Sequence, residues 1–416
     1  MIDITDKKKC CGCWACNNAC PRKCINMAVD AEGFRYPVIN KELCIDCGLC
    51  EKVCPVLHSD STDKPHDQQG WLVQHKNDII RHESTSGGAF TAIATWVIKQ
   101  GGIVFGAGYR NGTFVVAHQA VECEDELKIF RNSKYVQSEI GDCYNQVLKF
   151  LKESRLVLFS GTPCQIEGLL GFLRGREYQN LILQDIVCHG IPSPAIFNSY
   201  IALQQQNIGG RFTNVLFRDK HYGYHYSSFS IYNEDETKNY HKGIDTNAFL
   251  RAYFSNLSDR PSCYDCPFKK RYRKSDLTLW DCFPIEKFTK DLDGKGTTRV
   301  LVQSDKGMAV MKAVMGDLRA IPVDADKLTS GVNEMYYSVP MNPKREQFFR
   351  DFNYMSKEEF FLKWFPITFK TRFNSFIRIT AHKLGIYTAA KRLFLLFYTK
   401  RDVRTREKNT IISQKR

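Results

Sequence analysis

Two groups of four cysteines near the N-terminus carry the clearest chemical signal in this sequence. Each group has the spacing Cys-x-x-Cys-x-x-Cys-x-x-x-Cys-Pro. The eight residues are Cys10, Cys13, Cys16, Cys20, Cys44, Cys47, Cys50 and Cys54. Three thiolates on one tight loop can face a single iron–sulfur cubane, and the proline then turns the chain toward a second site. The spacing therefore predicts two 4Fe–4S clusters, which carry electrons one at a time.

The order of the cysteines also predicts which cluster each one binds. In two-cluster ferredoxins the fourth cysteine of each run crosses to the other cluster. We expect cluster one to take Cys10, Cys13, Cys16 and Cys54, and cluster two to take Cys44, Cys47, Cys50 and Cys20. A zinc ribbon is the alternative, but zinc needs well-separated pairs of cysteines rather than two dense runs. Cys11 and Cys24 fall outside the pattern and are expected to be bystanders.

Four further cysteines form a second pattern in the body of the chain. Cys164 and Cys188 each follow a predicted strand, and Cys263 and Cys266 form a Cys-x-x-Cys-Pro pair. Ligands of open α/β sheets bind at the carboxyl ends of the strands, so the four thiols could converge on a third cluster. The alternative is that the thiols at the strand ends are simply small buried residues.

The elements that must position these cysteines follow a β/α pattern after a polar linker at residues 59–69. Apolar runs predict strands at 71–74, 103–105, 155–159 and 181–187. Helices are predicted over 89–99 and up to 152, and another begins near Pro163, which suits a first helical turn. No Walker A motif is present, and Gly106 and Gly108 lack the third glycine of a dinucleotide fingerprint.

Chain length, cysteine count and charge distribution indicate the cellular compartment and the location of the basic residues. The chain has 416 residues, 17 cysteines and a net charge of +14. Ten of the cysteines lie within the first 54 residues, and the N-terminus has no apolar signal region, so we expect a cytoplasmic protein. Residues 341–416 hold 18 Lys and Arg against 6 Asp and Glu, while the rest of the chain is nearly neutral.

The basic tail mixes aromatic residues with Lys and Arg between positions 359 and 398. Such helices can lie on anionic membranes, so we expect peripheral contact with the inner membrane surface. The alternative is a set of helices packed on the body with a solvated basic face. No nucleic-acid-binding module is recognisable. Residues 399–416 are expected to be disordered.

Five stretches of the body resemble the coenzyme F420 hydrogenase/dehydrogenase beta-subunit family. They are STSGGAFTAIA (84–94), NSKYVQS (132–138), LFSGTPCQIEGL (158–169), DIVCHGIPSP (185–194) and CYDCPF (263–268). The resemblance implies an FAD domain with a nearby 4Fe–4S cluster, which exchanges electrons between a ferredoxin-like relay and a two-electron substrate. Cys164, Cys188, Cys263 and Cys266 then become the expected ligands of the third cluster.

The resemblance also assigns candidate flavin contacts. These are Ser86, Gly87, Gly88, Ser133, Lys134, Tyr135, Gly161 and Thr162. Glycine loops let phosphate oxygens approach backbone N–H groups, and a lysine can offset phosphate or reduced-flavin charge. Lys134 and His189 are the candidate catalytic residues, with His189 as a proton donor. The alternatives are a tight turn, a solvated lysine and a structural histidine.

One stretch departs from the family pattern. The sequence from Ser275 to Phe283 keeps acidic residues at Asp276 and Asp281, but Trp280 stands where the family has a small residue. An indole at this position is expected to reshape the pocket, which leaves the substrate open.

The sequence therefore predicts an α+β ferredoxin module (1–58), an α/β catalytic domain with a mixed sheet flanked by helices (70–331), and a helical basic extension (332–416). We expect an oxidoreductase that passes electrons between a ferredoxin or another redox partner protein, its clusters, FAD and a small-molecule substrate. Bacterial relatives suggest a link to polysaccharide biosynthesis. The alternative is a non-catalytic electron-transfer subunit that docks on a partner enzyme.

Overall fold

The N-terminal module is a small α+β unit built around the two cysteine runs. A computed structural model describes residues 1–59 and 64–387. The elements of this module are α1 (Ala15–Ala19), β1 (Ile25–Val29), β2 (Arg35–Ile39) and α2 (Leu49–Lys52). The two strands pair antiparallel, with Ile25 opposite Ile39. Each short helix begins inside one of the two cysteine runs. The two strands lie between the runs in the chain.

The body contains a large mixed sheet and a smaller sheet. The strands are β3 (Gln69–His75), β4 (Ile103–Tyr109), β5 (Val116–Val121), β6 (Val157–Gly161), β7 (Leu181–Ile186), β8 (Phe212–Asp219), β9 (Ser228–Asn233), β10 (Tyr240–Gly243), β11 (Leu277–Asp281), β12 (Thr298–Val302) and β13 (Leu318–Val323). The large sheet has the order β13-β3-β12-β11-β7-β6-β4-β5, and the small one β10-β9-β8.

The centre of the large sheet is parallel and its edges are antiparallel. Strands β11, β7, β6 and β4 run parallel to one another. Strands β12, β3, β13 and β5 add antiparallel pairs on the two sides. The carboxyl ends of the four parallel strands therefore share one edge, which is where open α/β sheets bind ligands.

Helices cover both faces of the large sheet. The body helices are α3 (Asp78–Glu83), α4 (Ala89–Lys99), α5 (Cys143–Lys152), α6 (Pro163–Phe172), α7 (Pro194–Ile208), α8 (Ala248–Phe254), α9 (Asp305–Val314) and α10 (Ala325–Thr329). Helices α4 and α9 bury apolar residues in one core, and α5 and α6 bury theirs in another. Both faces of the parallel strands are therefore covered, as their continuous apolar runs require.

The N-terminal module packs against α6 through two glycines. A Cβ atom on Gly168 would lie 2.8 Å from the Cβ of Cys13, and one on Gly171 would lie 2.4 Å from the carbonyl oxygen of Val53. Because these glycines are three residues apart, they share one face of the helix. The module therefore sits directly on the helix that carries Cys164 near its N-terminus.

The C-terminal region is helical. Its helices are α11 (Asn333–Tyr336), α12 (Arg345–Tyr354), α13 (Lys357–Trp364) and α14 (Phe369–Lys383). Helices α12 and α13 contribute Phe348, Phe352 and Phe360 to an aromatic core that they share with α7, α8 and the small sheet. No helix in the described part of the chain is long and apolar enough to cross a membrane.

The predicted fold class is confirmed. The helix expected over 89–99 is α4, and the strand expected at 181–187 is β7 at Leu181–Ile186. The domain limits stay predictions, although β3 begins at Gln69 and α11 at Asn333, close to two of them. The disorder expected for 399–416 lies outside the described residues.

Candidate functional site

The predicted ligands of cluster one come together. The thiols of Cys13, Cys16 and Cys54 are buried. Burial, and then the charges of Cys10 and Cys54, raise the pKa of the Cys16 thiol. Cys13 interacts with both Cys16 and Cys54. Cys54 belongs to the second run, so thiols of both runs lie beside Cys16. The assignment of each thiol to a cluster stays a prediction.

The predicted ligands of cluster two surround a cavity of their own. This cavity has a volume of about 20 Å³ and is lined by Cys20, Cys44, Cys47 and Cys50. Gly48, at φ 67°, makes the tight turn between the second pair of thiols. Cys47 is exposed, so this site lies at the protein surface. Cys24, expected to be a bystander, has its Sγ 3.3 Å from that of Cys20.

The four body cysteines also face one another. The charges of Cys188, Cys266 and Cys164 all act on Cys263, whose pKa is raised chiefly by burial. Burial also raises the pKa of Cys188 to about 12 and that of Cys266 to about 11. Thiols with raised pKa values hold their protons until a metal displaces them.

Separate elements carry these four thiols to one place. Cys164 lies in the first turn of α6, where Thr162 forms the helix cap and its Oγ1 is 3.1 Å from the Cys164 Sγ. Cys188 follows β7, and its carbonyl oxygen accepts a hydrogen bond from the Nζ of Lys269. The N–H of Cys266 donates to the Oγ of Ser338 at 2.8 Å. Each loop is therefore held by its own hydrogen bonds.

Cys11 stands between the N-terminal module and this group. Its thiol lies close enough to those of Cys13 and Cys164 to change their pKa values. The three thiols Cys13, Cys11 and Cys164 thus form a line from the cluster-one site to the body cysteines. The sequence pattern treats Cys11 as a bystander, because spacing along the chain says nothing about a contact with a residue far away in the sequence.

Arg260 is a second buried link between the two parts. Its side chain is 1% exposed. Its Nε donates to the carbonyl oxygen of Cys10 at 2.7 Å, and its Nη1 to Oε1 of Gln137 at 2.8 Å. Its Nη2 lies 3.5 Å from the Sγ of Cys10. Burial alone would lower the pKa of this guanidinium, but nearby Cys10 and Cys263 help to raise it. Sequence analysis missed this residue.

A large cleft opens at the carboxyl ends of the parallel strands. Its volume is about 1110 Å³, slightly above the roughly 300–1,000 Å³ usual for small-molecule sites. Cys164 and Cys188 lie in its wall. The predicted site residues that line it are Ser86, Gly88, Ser133, Lys134, Tyr135, Gly161, Thr162 and His189.

The Ser86–Gly88 loop leads into the first turn of α4. Gly88 caps the helix at φ 86° without a side-chain cap, and Ala89, Phe90 and Thr91 line the cleft. The free N–H groups of this first turn therefore suit an anion. Gly87 has a packing role, since its N–H donates to Thr298 Oγ1 at 2.9 Å and an added Cβ would lie 2.2 Å from the carbonyl oxygen of Val73.

Lys134 is half-buried in the wall of the cleft. Burial lowers its pKa to about 7. Its Nζ donates to the carbonyl oxygens of Ile129 at 2.7 Å and Arg131 at 2.8 Å. When it is charged, its third N–H remains for a ligand. The N–H of neighbouring Ser133 donates to Thr85 Oγ1 at 2.7 Å.

His189 lies beside the thiols in a partly aromatic environment. Its Nε2 is 2.9 Å from Oδ1 of Asn256, and its ring meets those of Tyr253 and Phe254 edge-on. Burial lowers its pKa. The amide oxygen of Asn256 can only accept a hydrogen bond, so the proton lies on Nε2 and Nδ1 is the free acceptor.

Trp280 and Asp281 form another part of the wall, at the end of β11. The Trp280 indole lines the cleft, and its Nε1 is buried without a hydrogen-bond partner. Asp281 pairs with Arg218 at 2.8 Å, and Arg218 also donates to the hydroxyl of Tyr135 at 3.0 Å. Sequence analysis missed Arg218, which has no recognisable motif around it.

The polar atoms that line the cleft would suit a polar ligand with anionic groups. Among the described residues, Gln184 Oε1, Trp280 Nε1 and Arg299 Nε are buried cleft atoms that lack partners. Buried polar atoms are normally paired, so unpaired ones in a cleft point to hydrogen bonds with a ligand. The first turn of α4 would receive the phosphates.

Two family models match the chain. The model for the C terminus of the coenzyme F420 hydrogenase/dehydrogenase beta chain matches residues 154–325, and the model for a 4Fe–4S dicluster domain matches residues 9–57. A ferredoxin of Mycolicibacterium smegmatis is 35% identical over 88 residues, which are 21% of this chain and 72% of that protein.

Similarities in the body are more distant. An uncharacterized protein of Methanocaldococcus jannaschii is 26% identical over 204 residues, which are 41% of this chain and 54% of that protein. This chain therefore spans about half of that relative. A chain from the F420-reducing nickel–iron hydrogenase complex of Methanosarcina barkeri superposes with a TM-score of 0.43 at 12% identity, over 72% of this chain and 92% of that one.

Proposed function

We propose that this chain is an iron–sulfur flavoprotein oxidoreductase of the coenzyme F420 hydrogenase/dehydrogenase beta-subunit family, because residues 154–325 match the model for the C terminus of that subunit and residues 9–57 match a 4Fe–4S dicluster domain. One observation carries the proposal: four converging body cysteines and Cys11 stand between the dicluster module and a cleft of about 1110 Å³. A simple electron carrier needs no such cleft.

The cluster-two site would exchange single electrons with a partner protein. Cys47 of the cluster-two set is exposed, so a ferredoxin or another redox protein can approach this site closely. The cluster-one set lies deeper, against α6. Electrons would therefore pass from cluster two to cluster one and on to the body cysteines, two of which line the cleft.

Cys164, Cys188, Cys263 and Cys266 would hold a third 4Fe–4S cluster. Four half-buried thiols from three loops suit a cubane, and thiolate is the ligand that such clusters take. Lys269 supports the site by donating to the carbonyl oxygens of Cys188, His189 and Glu334. Its charge also lowers the pKa of Cys188 and of Cys266, against the effect of burial.

FAD would occupy the cleft. A bound flavin exchanges single electrons with clusters and an electron pair with an organic substrate, which clusters alone do not do. The first turn of α4 and Lys134 would hold its phosphates or offset its charge, and the unpaired atoms of Gln184, Trp280 and Arg299 would bind its ring system. Thr162 and His189 line the same cleft, beside Cys164 and Cys188 respectively.

The substrate would enter where the cleft is lined by Lys287, Phe288 and Lys327. Two cationic side chains beside an aromatic ring favour an anionic or polar small molecule. Trp280 narrows the same space with its indole. The link to polysaccharide biosynthesis stays a prediction, because these residues do not distinguish a sugar from another polar substrate.

The test is the content of iron, sulfide and flavin per chain in anaerobically purified protein. We expect about 12 Fe, as three cubanes require, and one FAD. Reduction through a ferredoxin should then bleach the clusters and reduce the flavin. About 8 Fe without flavin would contradict the proposal and identify a non-catalytic electron-transfer subunit.

A further inference from the structure

Helix α14 carries its large apolar side chains on the outside. Phe369 is 83% exposed, Phe373 53%, Phe376 66% and Ile377 48%. The residues that this helix buries are small, namely Ser375 and Ala381. A surface helix normally buries its large apolar residues and exposes its polar ones, so the orientation of α14 is the reverse of the usual one.

The exposed residues form one continuous stripe. Positions 369, 373, 376, 377 and 384 follow the spacing of a single helix face. Leu384 is 65% exposed and extends the stripe at its C-terminal end. Leu362 and Ile367, just before the helix, are 62% and 43% exposed. Contiguous apolar patches of this kind mark interaction surfaces in proteins.

The opposite face fixes the helix to the body. The hydroxyl of Tyr226 is 3.3 Å from the Oγ of Ser375, and its ring stacks on His382 at 5.6 Å. Arg378 pairs with Asp245 at 3.5 Å. These contacts orient α14 so that its phenylalanines point away from the protein.

Basic residues flank the stripe on both sides. At about 100° per residue, Lys370 falls on one side of the phenylalanines, and Arg372 and Lys383 fall on the other. All three are exposed. The sequence has no Asp or Glu from position 360 to 401. Lys and Arg beside an apolar stripe can place their charges at lipid headgroups while the rings enter the acyl boundary.

We propose that α14 docks this protein on an anionic membrane surface. The acid-free, doubly flanked stripe favours a uniformly negative plane over a protein partner, whose mixed surface would be matched by both signs of charge. Residues 388–400 continue the same composition, with Lys391, Arg392 and Lys400 among leucines and aromatics. The docking does not depend on the proposed redox activity.

The experiment is co-flotation of the full-length, anaerobically purified protein with vesicles. We expect binding to vesicles of phosphatidylglycerol mixed with phosphatidylcholine, and little binding to phosphatidylcholine alone. The double variant Phe373→Ser/Phe376→Ser should bind at least about tenfold more weakly, because both rings lose the apolar environment. Lys370→Gln/Arg372→Gln should lose about 30-fold, since each charge contributes about 1 kcal/mol at such a surface.

The matched control is Ile79→Ser, which removes an apolar side chain that is 68% exposed on α3, outside the stripe. It should bind vesicles like the unmodified protein. Circular dichroism and the visible absorption of the clusters check that each variant is folded. Failure to float with any vesicle, or equal binding to neutral vesicles, would overturn the proposal. So would a dimer in sedimentation velocity that Phe373→Ser dissociates, because the stripe would then bind a second copy.

Discussion

At the residue scale, Arg260 is the group whose chemistry is most informative. A guanidinium that is 1% exposed lies against Cys10 and near Cys263. Its hydrogen bonds to the Cys10 carbonyl, Gln137 and the carbonyl oxygen of Arg35 replace water at three donors. A buried cation beside an iron–sulfur cluster stabilises the reduced, more negative state. We therefore expect Arg260 to position Cys10 and to raise the reduction potential of the nearest cluster.

Replacing Arg260 by Gln should lower the reduction potential of the nearest cluster by roughly 100 mV. A charge at about 6 Å, in an effective dielectric of about 20, contributes about 3 kcal/mol. An EPR-monitored redox titration measures the change. Arg260→Lys keeps the charge and should restore most of the potential. Equal potentials in the Gln variant and the unmodified protein would leave Arg260 with a packing role only.

His118 makes the stability of the body depend on pH. It is buried in the cleft wall, with Nε2 3.0 Å from the carbonyl oxygen of Ser160 and Nδ1 3.0 Å from the Oγ of Ser138. Burial lowers its pKa from 6.5 to about 4. The folded state therefore favours the neutral ring, and this contribution to stability is complete above pH 6.5 and is lost as the pH falls toward 4.

The expected loss between pH 7 and pH 4 is about 3 kcal/mol of unfolding free energy. Urea unfolding at a series of pH values measures it. The glutamine of His118→Gln keeps a hydrogen-bond donor and an acceptor but does not titrate. The unfolding free energy of this variant should therefore fall by about 3 kcal/mol less between pH 7 and pH 4 than that of the unmodified protein. Parallel pH curves for the two proteins would show that His118 titrates normally in the folded state.

At the element scale, α6 connects the dicluster module with the body cysteines. Cys164 lies in its first turn, and Gly168 and Gly171 press on the dicluster module further along. The absence of side chains at both glycines lets the backbone of the module approach closely. The sequence predicts the helix start through Pro163, but no sequence pattern indicates which neighbour the glycines contact.

Gly171→Ala should destabilise the protein by about 1–3 kcal/mol, as overpacking of a tight contact does. The new Cβ would lie 2.4 Å from the carbonyl oxygen of Val53, a backbone atom that cannot rotate away. The better helix propensity of alanine, about 1 kcal/mol, offsets part of this. Chemical denaturation gives the difference. Gly316→Ala is the control, because an added Cβ there meets nothing within 4 Å.

At the scale of the whole molecule, the sequence predicts the components better than their arrangement. The cysteine spacing is local, so it predicts the dicluster module. The large sheet follows from buried strands such as β6 and β7. The contacts of Cys11 and Arg260 with distant residues, and the outward stripe of α14, depend on tertiary packing. Periodicity shows that α14 is amphipathic but does not say which face turns outward.

The arrangement predicts that electron transfer between the dicluster module and the flavin is lost when one of the body cysteines is replaced. Cys263→Ala should lower the iron content from about 12 to about 8 Fe per chain, because only the dicluster module would keep its cubanes. Ferredoxin should still reduce that module, whereas the flavin should no longer follow. Stopped-flow absorption at cluster and flavin wavelengths distinguishes the two events. Cys123→Ser, at an exposed thiol, is the control and should behave like the unmodified protein.

Cys188→Ala provides a second break in the same set, in case the first variant is unstable. Its partners Cys164 and Cys266 act on it directly, so it should show the same loss of iron and the same uncoupling. Retention of about 12 Fe in both variants would exclude these residues as ligands of a third cluster. Loss of iron with unchanged flavin reduction would mean that electrons reach the cleft through the line of Cys13, Cys11 and Cys164 alone.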